Sequence, residues 1–209
     1  MKLIIGNKRL SSWSLRPWLV MKHFEIPFEE ILIPLDQPET TQNILKYSPT
    51  AKVPVLIDQD IHVWDSLAIV EYVNEKYPEK NLWPKDQTAR AHARSVSAEM
   101  HSGFTELRKH LSHDLQKNLK DFDSSPAQVD IQRIKQIWTD CLTKSRGPYL
   151  FGDFSIADAM FAPVVNRFVS YGVKSDGPIE QYVKTIRENV AHRLWIRDGL
   201  TETFTADKH

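Results

Sequence analysis

Apolar positions near the start of the chain follow first a strand pattern and then a helix pattern. Residues 2–6 form a short apolar run typical of a buried strand, and apolar side chains from Leu15 onwards recur at helical spacing. Ile26-Pro27 interrupts the helical pattern, and residues 28–33 then predict a second strand. A strand, a helix and a strand in this order favour a right-handed crossover that joins two parallel strands.

A predicted hairpin follows. Residues 55–57 and 61–64 flank the turn Asp58-Gln59-Asp60, which predicts two antiparallel strands. From Leu67 the apolar positions return to helical spacing and end near Pro78. The first part of the chain therefore predicts the order βαβ followed by ββα.

The strand signal disappears after a polar stretch bounded by prolines. We interpret residues 79–86 as a linker between an α/β domain, residues 1–78, and an all-helical domain, residues 87–209. The segment Ser155-Ile156-Ala157-Asp158 predicts a capping box, in which Asp158 has a structural role. Helices are predicted over residues 87–118, 127–145, 155–171 and 179–189.

Composition narrows the classes of function. The 209 residues carry 27 basic and 27 acidic side chains, so no net charge attracts nucleic acid or an anionic membrane. The short apolar run at the start does not predict a signal peptide, and no apolar stretch is long enough for a membrane span. We therefore expect a cytoplasmic protein. One cysteine, Cys141, excludes an internal disulfide and a multi-cysteine metal site, and it is interpreted as a packing residue.

Two short elements predict a site for a small peptide. Pro54 cannot donate a hydrogen bond, so the backbone groups of Val53 are left for a ligand, whichever isomer the Val53-Pro54 bond adopts. Asp65 and Ser66 open the next helix, where Asp65 can simply be the N-cap. The same place also suits a zwitterion, because the helix N-terminus attracts a carboxylate and Asp65 attracts an ammonium group.

A serine cluster lies between the first strand and the first helix. Pro17 is best tolerated where its missing N–H is one of the free ones, so we expect the helix to begin with Ser14 as N-cap. Ser11 and Ser12 would then precede the helix and be free for a ligand, although serines in such a position also serve as ordinary turn formers.

Taken together, these motifs resemble the glutathione transferase superfamily over nearly the whole chain. Val53-Pro54 is similar to its cis-proline turn, Asp65-Ser66 to its acidic-serine pair for the γ-glutamyl group, and residues 154–158 to its C-terminal capping motif. Residues 10–16 resemble the serine-type segment of the zeta and tau classes, with Trp13 where zeta isomerases usually have cysteine. The class stays unassigned, and the resemblance is to bacterial-style cytosolic members.

The resemblance implies a thioredoxin-like domain, glutathione as co-substrate, no metal, a homodimer and a detoxification role. Ser11, with Ser12 as the second candidate, would donate a hydrogen bond to the glutathione thiolate, which attacks a small hydrophobic electrophile. Lys52 is either a ligand of the glycine carboxylate or a solvated side chain, and Arg16 either assists the thiolate or forms a structural ion pair. The expected pocket for the electrophile lies between the domains, at Trp13, Glu99, Met100, Gly103 and Arg108.

Alternatives stay open for several of these assignments. Trp13 also fits the core, and His101 is expected on a helix surface rather than as an acid or base. A maleylacetoacetate-type isomerase that uses glutathione is an alternative reaction. A non-enzymatic transferase-like module that binds a protein partner is the alternative from another class, because a fold does not fix a function.

Overall fold

A mixed four-stranded sheet organises the first part of the chain. The structure, a computed structural model, describes residues 1–203. Strand β1 (Lys2–Ile5) pairs in parallel with β2 (Glu29–Leu32) and antiparallel with β3 (Val55–Asp58), which forms a hairpin with β4 (Ile61–Trp64). The sheet order is β2-β1-β3-β4. The predicted parallel pair and the predicted hairpin are both confirmed.

Three helices accompany the sheet: α1 (Ser12–His23), α2 (Thr40–Leu45) and α3 (Ser66–Lys76). The sequence predicted α1 and α3 but not α2, because this short helix is mostly polar and buries only Ile44. A helix with one buried side chain shows no apolar period that a sequence pattern can reveal.

The predicted start of α1 is wrong. Ser11 is the N-cap, and its Oγ accepts a hydrogen bond from the backbone N–H of Ser14 at 3.2 Å. Ser14 lies one turn inside the helix, where its Oγ accepts from the backbone N–H of Gly6 at 3.1 Å. Pro17 is consequently inside the helix, where it deprives only the carbonyl of Trp13 of an N–H donor. Burial of Leu15, Trp18 and Leu19 holds the helix despite this loss.

The second part of the chain is helical. Short 3₁₀ turns lie at Pro78–Lys80 and Ser125–Ala127. The observed helices differ from the predicted ones in two places. The helix predicted over 87–118 breaks at Gly103, whose Cβ would lie 2.8 Å from the Glu99 carbonyl oxygen, and at Phe104, which has a φ of 59°. The last helix was not predicted. The helices are α4 (Gln87–Ser102), α5 (Thr105–His110), α6 (Gln128–Ser145), α7 (Ile156–Ser170), α8 (Gly177–Glu188) and α9 (Val190–Thr201).

The predicted capping box at the start of α7 is confirmed. The Asp158 carboxylate accepts hydrogen bonds from the backbone N–H groups of Ser155, at 2.9 Å, and of Leu150, at 3.0 Å. The hydroxyl of Tyr182 donates to the same carboxylate at 3.2 Å. Asp158 is fully buried, and this burial raises its pKa to about 6. The motif therefore joins α7, α8 and the preceding turn at one carboxylate.

One apolar core runs through both parts of the chain, and α1 lies at its centre. Helix α1 contacts α3 on one side and α7 and α9 on the other. The stretch interpreted as a linker is itself anchored, because Leu82 and Trp83 are buried in this core. The N-terminus of α1, which carries the serine cluster, is thereby enclosed by helices from the second part. Within residues 1–203, no helix combines the length and the apolar character that crossing a bilayer requires.

Candidate functional site

A cavity of about 800 Å³ opens beside the N-termini of α1 and α3. Its walls come from the β1–α1 connection, the α2 region, the turn before β3 and the start of α3. The structure thus brings together side chains that are far apart in the sequence. Eight residues that the sequence singled out line it: Ser11, Ser12, Trp13, Lys52, Val53, Pro54, Asp65 and Ser66.

The turn before β3 exposes backbone to the cavity. The Val53-Pro54 peptide bond is cis, and Val53 precedes the first residue of the β3 ladder, Val55. Its N–H and carbonyl groups are therefore placed outside the sheet pairing, as the sequence predicted. Lys52, next to this turn, is exposed at the cavity wall.

Asp65 caps α3 with one of its two carboxylate oxygens. One oxygen, Oδ1, accepts hydrogen bonds from the N–H groups of Leu67 at 2.9 Å and Ala68 at 3.2 Å, which caps α3. The other oxygen, Oδ2, lies 3.1 Å from His101 Nε2 and keeps a second lone pair for a further donor. Asp65 also has a φ of 79°, a backbone conformation that favours glycine and that often marks functional positions.

His101 at the end of α4 reaches this carboxylate. Its Nε2 lies 3.1 Å from Asp65 Oδ2, and its ring meets the Trp13 ring edge-to-face with centroids 5.4 Å apart. His101, expected on a helix surface, is thus partly exposed, at 24% of its side chain, and paired with a carboxylate. The pKa of His101 is lowered overall, because burial and the charges of Arg16 and Arg108 outweigh the raising effect of Asp65. Sequence reasoning missed this contact because it joins helices from different parts of the chain.

Both candidate serines are buried, but their hydroxyl groups have different partners. The Ser11 hydroxyl donates to Ser14 Oγ at 2.8 Å and accepts from the Ser14 N–H. The expectation that this hydroxyl is free for a ligand is therefore wrong for the structure without a ligand. Ser12 Oγ accepts from Arg167 Nη2 at 3.4 Å. The Ser11 proton can rotate from a neutral hydroxyl to a better acceptor, such as an anion in the cavity, while the cap bond remains.

Three arginines surround Trp13 and Ser12. The guanidinium carbons of Arg16 and Arg108 lie 4.3 and 4.7 Å from the centroid of the Trp13 ring. Arg16 is 1% exposed, donates to Ser66 Oγ at 3.3 Å and has a buried Nε without a partner. Burial, with the charges of Arg108 and Arg167, lowers the pKa of Arg16 to about 9. Within the described residues no carboxylate lies at ion-pair distance from these arginines, so the structural ion pair expected for Arg16 is absent there.

Most of the residues expected to form the electrophile pocket do not line this cavity. Glu99 forms a two-pronged ion pair with Arg133 of α6 at 2.7 and 2.9 Å, and Met100 is 2% exposed in the core. Gly103 ends α4, and its carbonyl accepts a hydrogen bond from Arg108 Nε at 3.1 Å. Glu99, Met100, Gly103 and Arg108 are all absent from the cavity lining. Only Arg108 approaches it, through its contact with the Trp13 ring.

Other reactive groups are placed away from the cavity. The Cys141 thiol is buried in α6, and this burial raises its pKa to about 12, in keeping with a packing role. In the part of the chain that the structure describes, no three histidine, cysteine or acidic side chains are grouped so as to hold a metal ion.

Comparison with known proteins shows the family of the chain. A sequence model described as the N-terminal domain of glutathione S-transferase matches residues 10–76. A Caenorhabditis elegans protein described as a probable maleylacetoacetate isomerase is 33% identical over 168 residues, 75% of each chain. Glutathione S-transferase 1 of Dianthus caryophyllus is 32% identical over 168 residues, 78% of this chain and 76% of its own. The chain belongs to the glutathione transferase family.

The fold of this glutathione transferase agrees with that assignment. A solved transferase homologue from Burkholderia with bound glutathione superimposes with a TM-score of 0.75 at 24% identity, covering 96% of this chain and 98% of its own. The predicted thioredoxin-like sheet followed by a helical part is confirmed. Maleyl pyruvate isomerase, solved as a holo structure, has the same fold with a TM-score of 0.73 at 24% identity, covering 93% and 96%.

Proposed function

We propose that this transferase binds glutathione in the cavity beside α1 and α3 and uses its thiolate to attack a small electrophile. The observation that carries the proposal is the convergence of Ser11, the Val53 backbone and the Asp65-Ser66 helix start on one cavity. These elements come from three separate segments. A scaffold that only binds a protein partner has no physical need to bring all three together.

The tripeptide is placed by its charges. The γ-glutamyl ammonium pairs with Asp65 Oδ2, and its carboxylate takes the N-terminal end of α3 with Ser66. The cysteinyl backbone pairs with the free backbone groups of Val53, which leaves the sulfur facing Ser11. Lys52, exposed at the wall, takes the glycine carboxylate.

Thiol activation needs several contributions. A cysteine thiol with a pKa of about 8.5 is only a few per cent thiolate at neutral pH. A hydrogen bond from Ser11 to the charged sulfur contributes about 1.5 to 3 kcal/mol, which corresponds to about one to two pKa units. The positive end of α1 and the charges of Arg16 and Arg167 add to the same shift.

A second candidate reaction is a cis-trans isomerisation of an anionic substrate. The buried guanidinium groups of Arg16 and Arg167, with the half-buried one of Arg108, favour a substrate with carboxylates over a purely hydrophobic one. In such a reaction the thiolate adds to a double bond, the new single bond rotates, and elimination returns glutathione unchanged. The name of the nematode relative at 33% identity supports this candidate.

Two experiments test these proposals in turn. Calorimetry with glutathione tests binding, and the absence of heat at millimolar ligand contradicts the enzyme proposal. Rate measurements with a neutral aryl halide and with a cis-unsaturated dicarboxylate then separate transfer from isomerisation. A faster rate with the neutral substrate favours transfer.

A homodimer in the cytoplasm belongs to the same proposal. Ile61 and Trp64 of β4 are 50% and 45% exposed, and a second copy would cover such apolar side chains. Sedimentation of the purified protein tests the dimer, and a monomer at micromolar concentration contradicts it.

A further inference from the structure

The loop that carries the serines is held from outside by the C-terminal end of α9 and by the residue that follows it. The Glu202 carboxylate accepts hydrogen bonds from two consecutive backbone N–H groups, that of Lys8 at 2.7 Å and that of Arg9 at 3.0 Å. These residues precede Ser11 by only two and three positions. A carboxylate that accepts from two adjacent backbone groups fixes the orientation of both peptide planes.

Gly199 supplies an independent sign of this contact. A Cβ at this position would lie 3.0 Å from Arg9 N, 3.0 Å from the carbonyl carbon of Lys8 and 2.7 Å from Leu115 Cδ1. Glycine inside a helix costs about 1 kcal/mol relative to alanine. Glycine is nevertheless required at this point of α9, because the backbone of the serine loop leaves no room for a Cβ.

Side chains reinforce the same contact. Lys8 Nζ lies 2.9 Å from Asp198 of α9 and 2.9 Å from Glu30 of β2, and its side chain is only 8% exposed. Arg9 forms a two-pronged ion pair with Asp114, at 2.8 and 2.9 Å, in the segment after α5. The loop is thus tied on both sides to the helical part of the chain.

We propose that Glu202, together with Gly199, is a positioning element of the active site, which fixes the loop at Lys8 and Arg9 so that Ser11 faces the glutathione sulfur. This rests on the proposed function. Glu202 touches neither the cavity nor the sulfur, so it acts only through the loop. Glutathione affinity depends on Val53, Asp65 and Ser66, which lie on other segments, whereas thiol activation depends on the loop.

The test compares Glu202→Gln with wild type and with a control. Glutamine keeps the size of the side chain but offers one acceptor oxygen instead of two. We expect the pKa of bound glutathione, followed by thiolate absorbance, to rise by about one unit, a tenfold loss of thiolate below that pKa. At a pH below the thiol pKa of both complexes, where glutathione binds as the thiol, its dissociation constant should stay within about twofold, because only the thiolate form loses a stabilising contact. Glu188→Gln, which removes only the exposed 3.9 Å contact with Lys184, should change neither quantity.

Gly199→Ala gives a second, independent readout. Alanine must displace the loop or Leu115, because its Cβ would lie 3.0 Å from Arg9 N and 2.7 Å from Leu115 Cδ1, so a loss of stability is expected whatever the loop does. The thiol pKa is the deciding readout: we expect it to rise, with an unchanged dissociation constant at a pH where glutathione binds as the thiol. An unchanged thiol pKa in both variants overturns the positioning role while leaving the proposed function intact. Absence of glutathione binding in wild type overturns both.

Discussion

Replacing Ser11 by alanine tests the central step of the proposed mechanism. The Ser11 oxygen accepts from the Ser14 N–H at 3.2 Å, and its proton is held by Ser14 Oγ at 2.8 Å until a thiolate offers a stronger acceptor. Ser11→Ala removes the helix cap and the proposed bond to sulfur together. The two losses are measured separately, one in the free protein and one in the complex.

The expected magnitudes follow from the two bonds. Loss of the N-cap should lower the free energy of unfolding by about 0.5 to 2 kcal/mol. Loss of a hydrogen bond to a charged sulfur, about 1.5 to 3 kcal/mol, should raise the pKa of bound glutathione by about one to two units. Since kcat below that pKa follows the thiolate fraction, it should fall by about tenfold to a hundredfold, with a smaller loss above the new pKa.

Denaturant titration measures the first effect, and thiolate absorbance against pH measures the second. Ser12→Ala is the matched control, because it removes only the 3.4 Å hydrogen bond from Arg167 and no cap. We expect a smaller pKa change there. If Ser12→Ala raises the thiol pKa and Ser11→Ala leaves it unchanged, then Ser12 is the donor and Ser11 serves only as the cap.

Three further predictions concern binding, substrate charge and pH. Asp65→Asn should weaken glutathione binding by about tenfold to a hundredfold in calorimetry, through loss of a charged partner, yet leave stability nearly unchanged because asparagine is an equally good N-cap. Arg167→Met should reduce kcat/KM at least about tenfold for a dicarboxylate electrophile but much less for a neutral one. Because burial raises the pKa of Asp158 to about 6, above an unfolded value near 3.8, this group should lower the free energy of unfolding by about 2 kcal/mol as pH rises from 4 to 6. Asp158→Asn, compared with wild type in urea titrations across that range, isolates the effect.

Each of these has a result that contradicts it. Unchanged glutathione affinity in Asp65→Asn would mean that the γ-glutamyl group is held elsewhere. Equal losses for both electrophiles in Arg167→Met would remove the argument for an anionic substrate. Asp58 provides the opposite sign of pH dependence, because hydrogen bonds from Lys76 and Tyr72 lower its pKa. Its contribution is present above the unfolded pKa and is lost as pH falls, so a shared slope for the two residues would refute the assignment.

The sequence predicted those parts of the site that local chemistry determines. A proline before an alternating run leaves backbone groups unpaired at Val53, and an aspartate before a helical pattern marks the start of α3. Both signals lie within a few residues of the groups they describe. The start of α1 was misjudged for the same reason, since Pro17 gives a strong local signal that burial of the surrounding helix overrides.

The contacts proposed to tune the thiol join distant segments, so no local pattern in the sequence predicts them. His101 meets Asp65 across α4 and α3, and Glu202 holds the loop at Lys8 across almost the whole length of the chain. A carboxylate at the end of a helix looks like any solvated residue until the fold places two backbone N–H groups against it. Two relatives can therefore share the serine cluster and the Val-Pro turn and still differ in thiol pKa. The difference would arise in helices that never touch glutathione, which is where comparisons between members of this family should look for it.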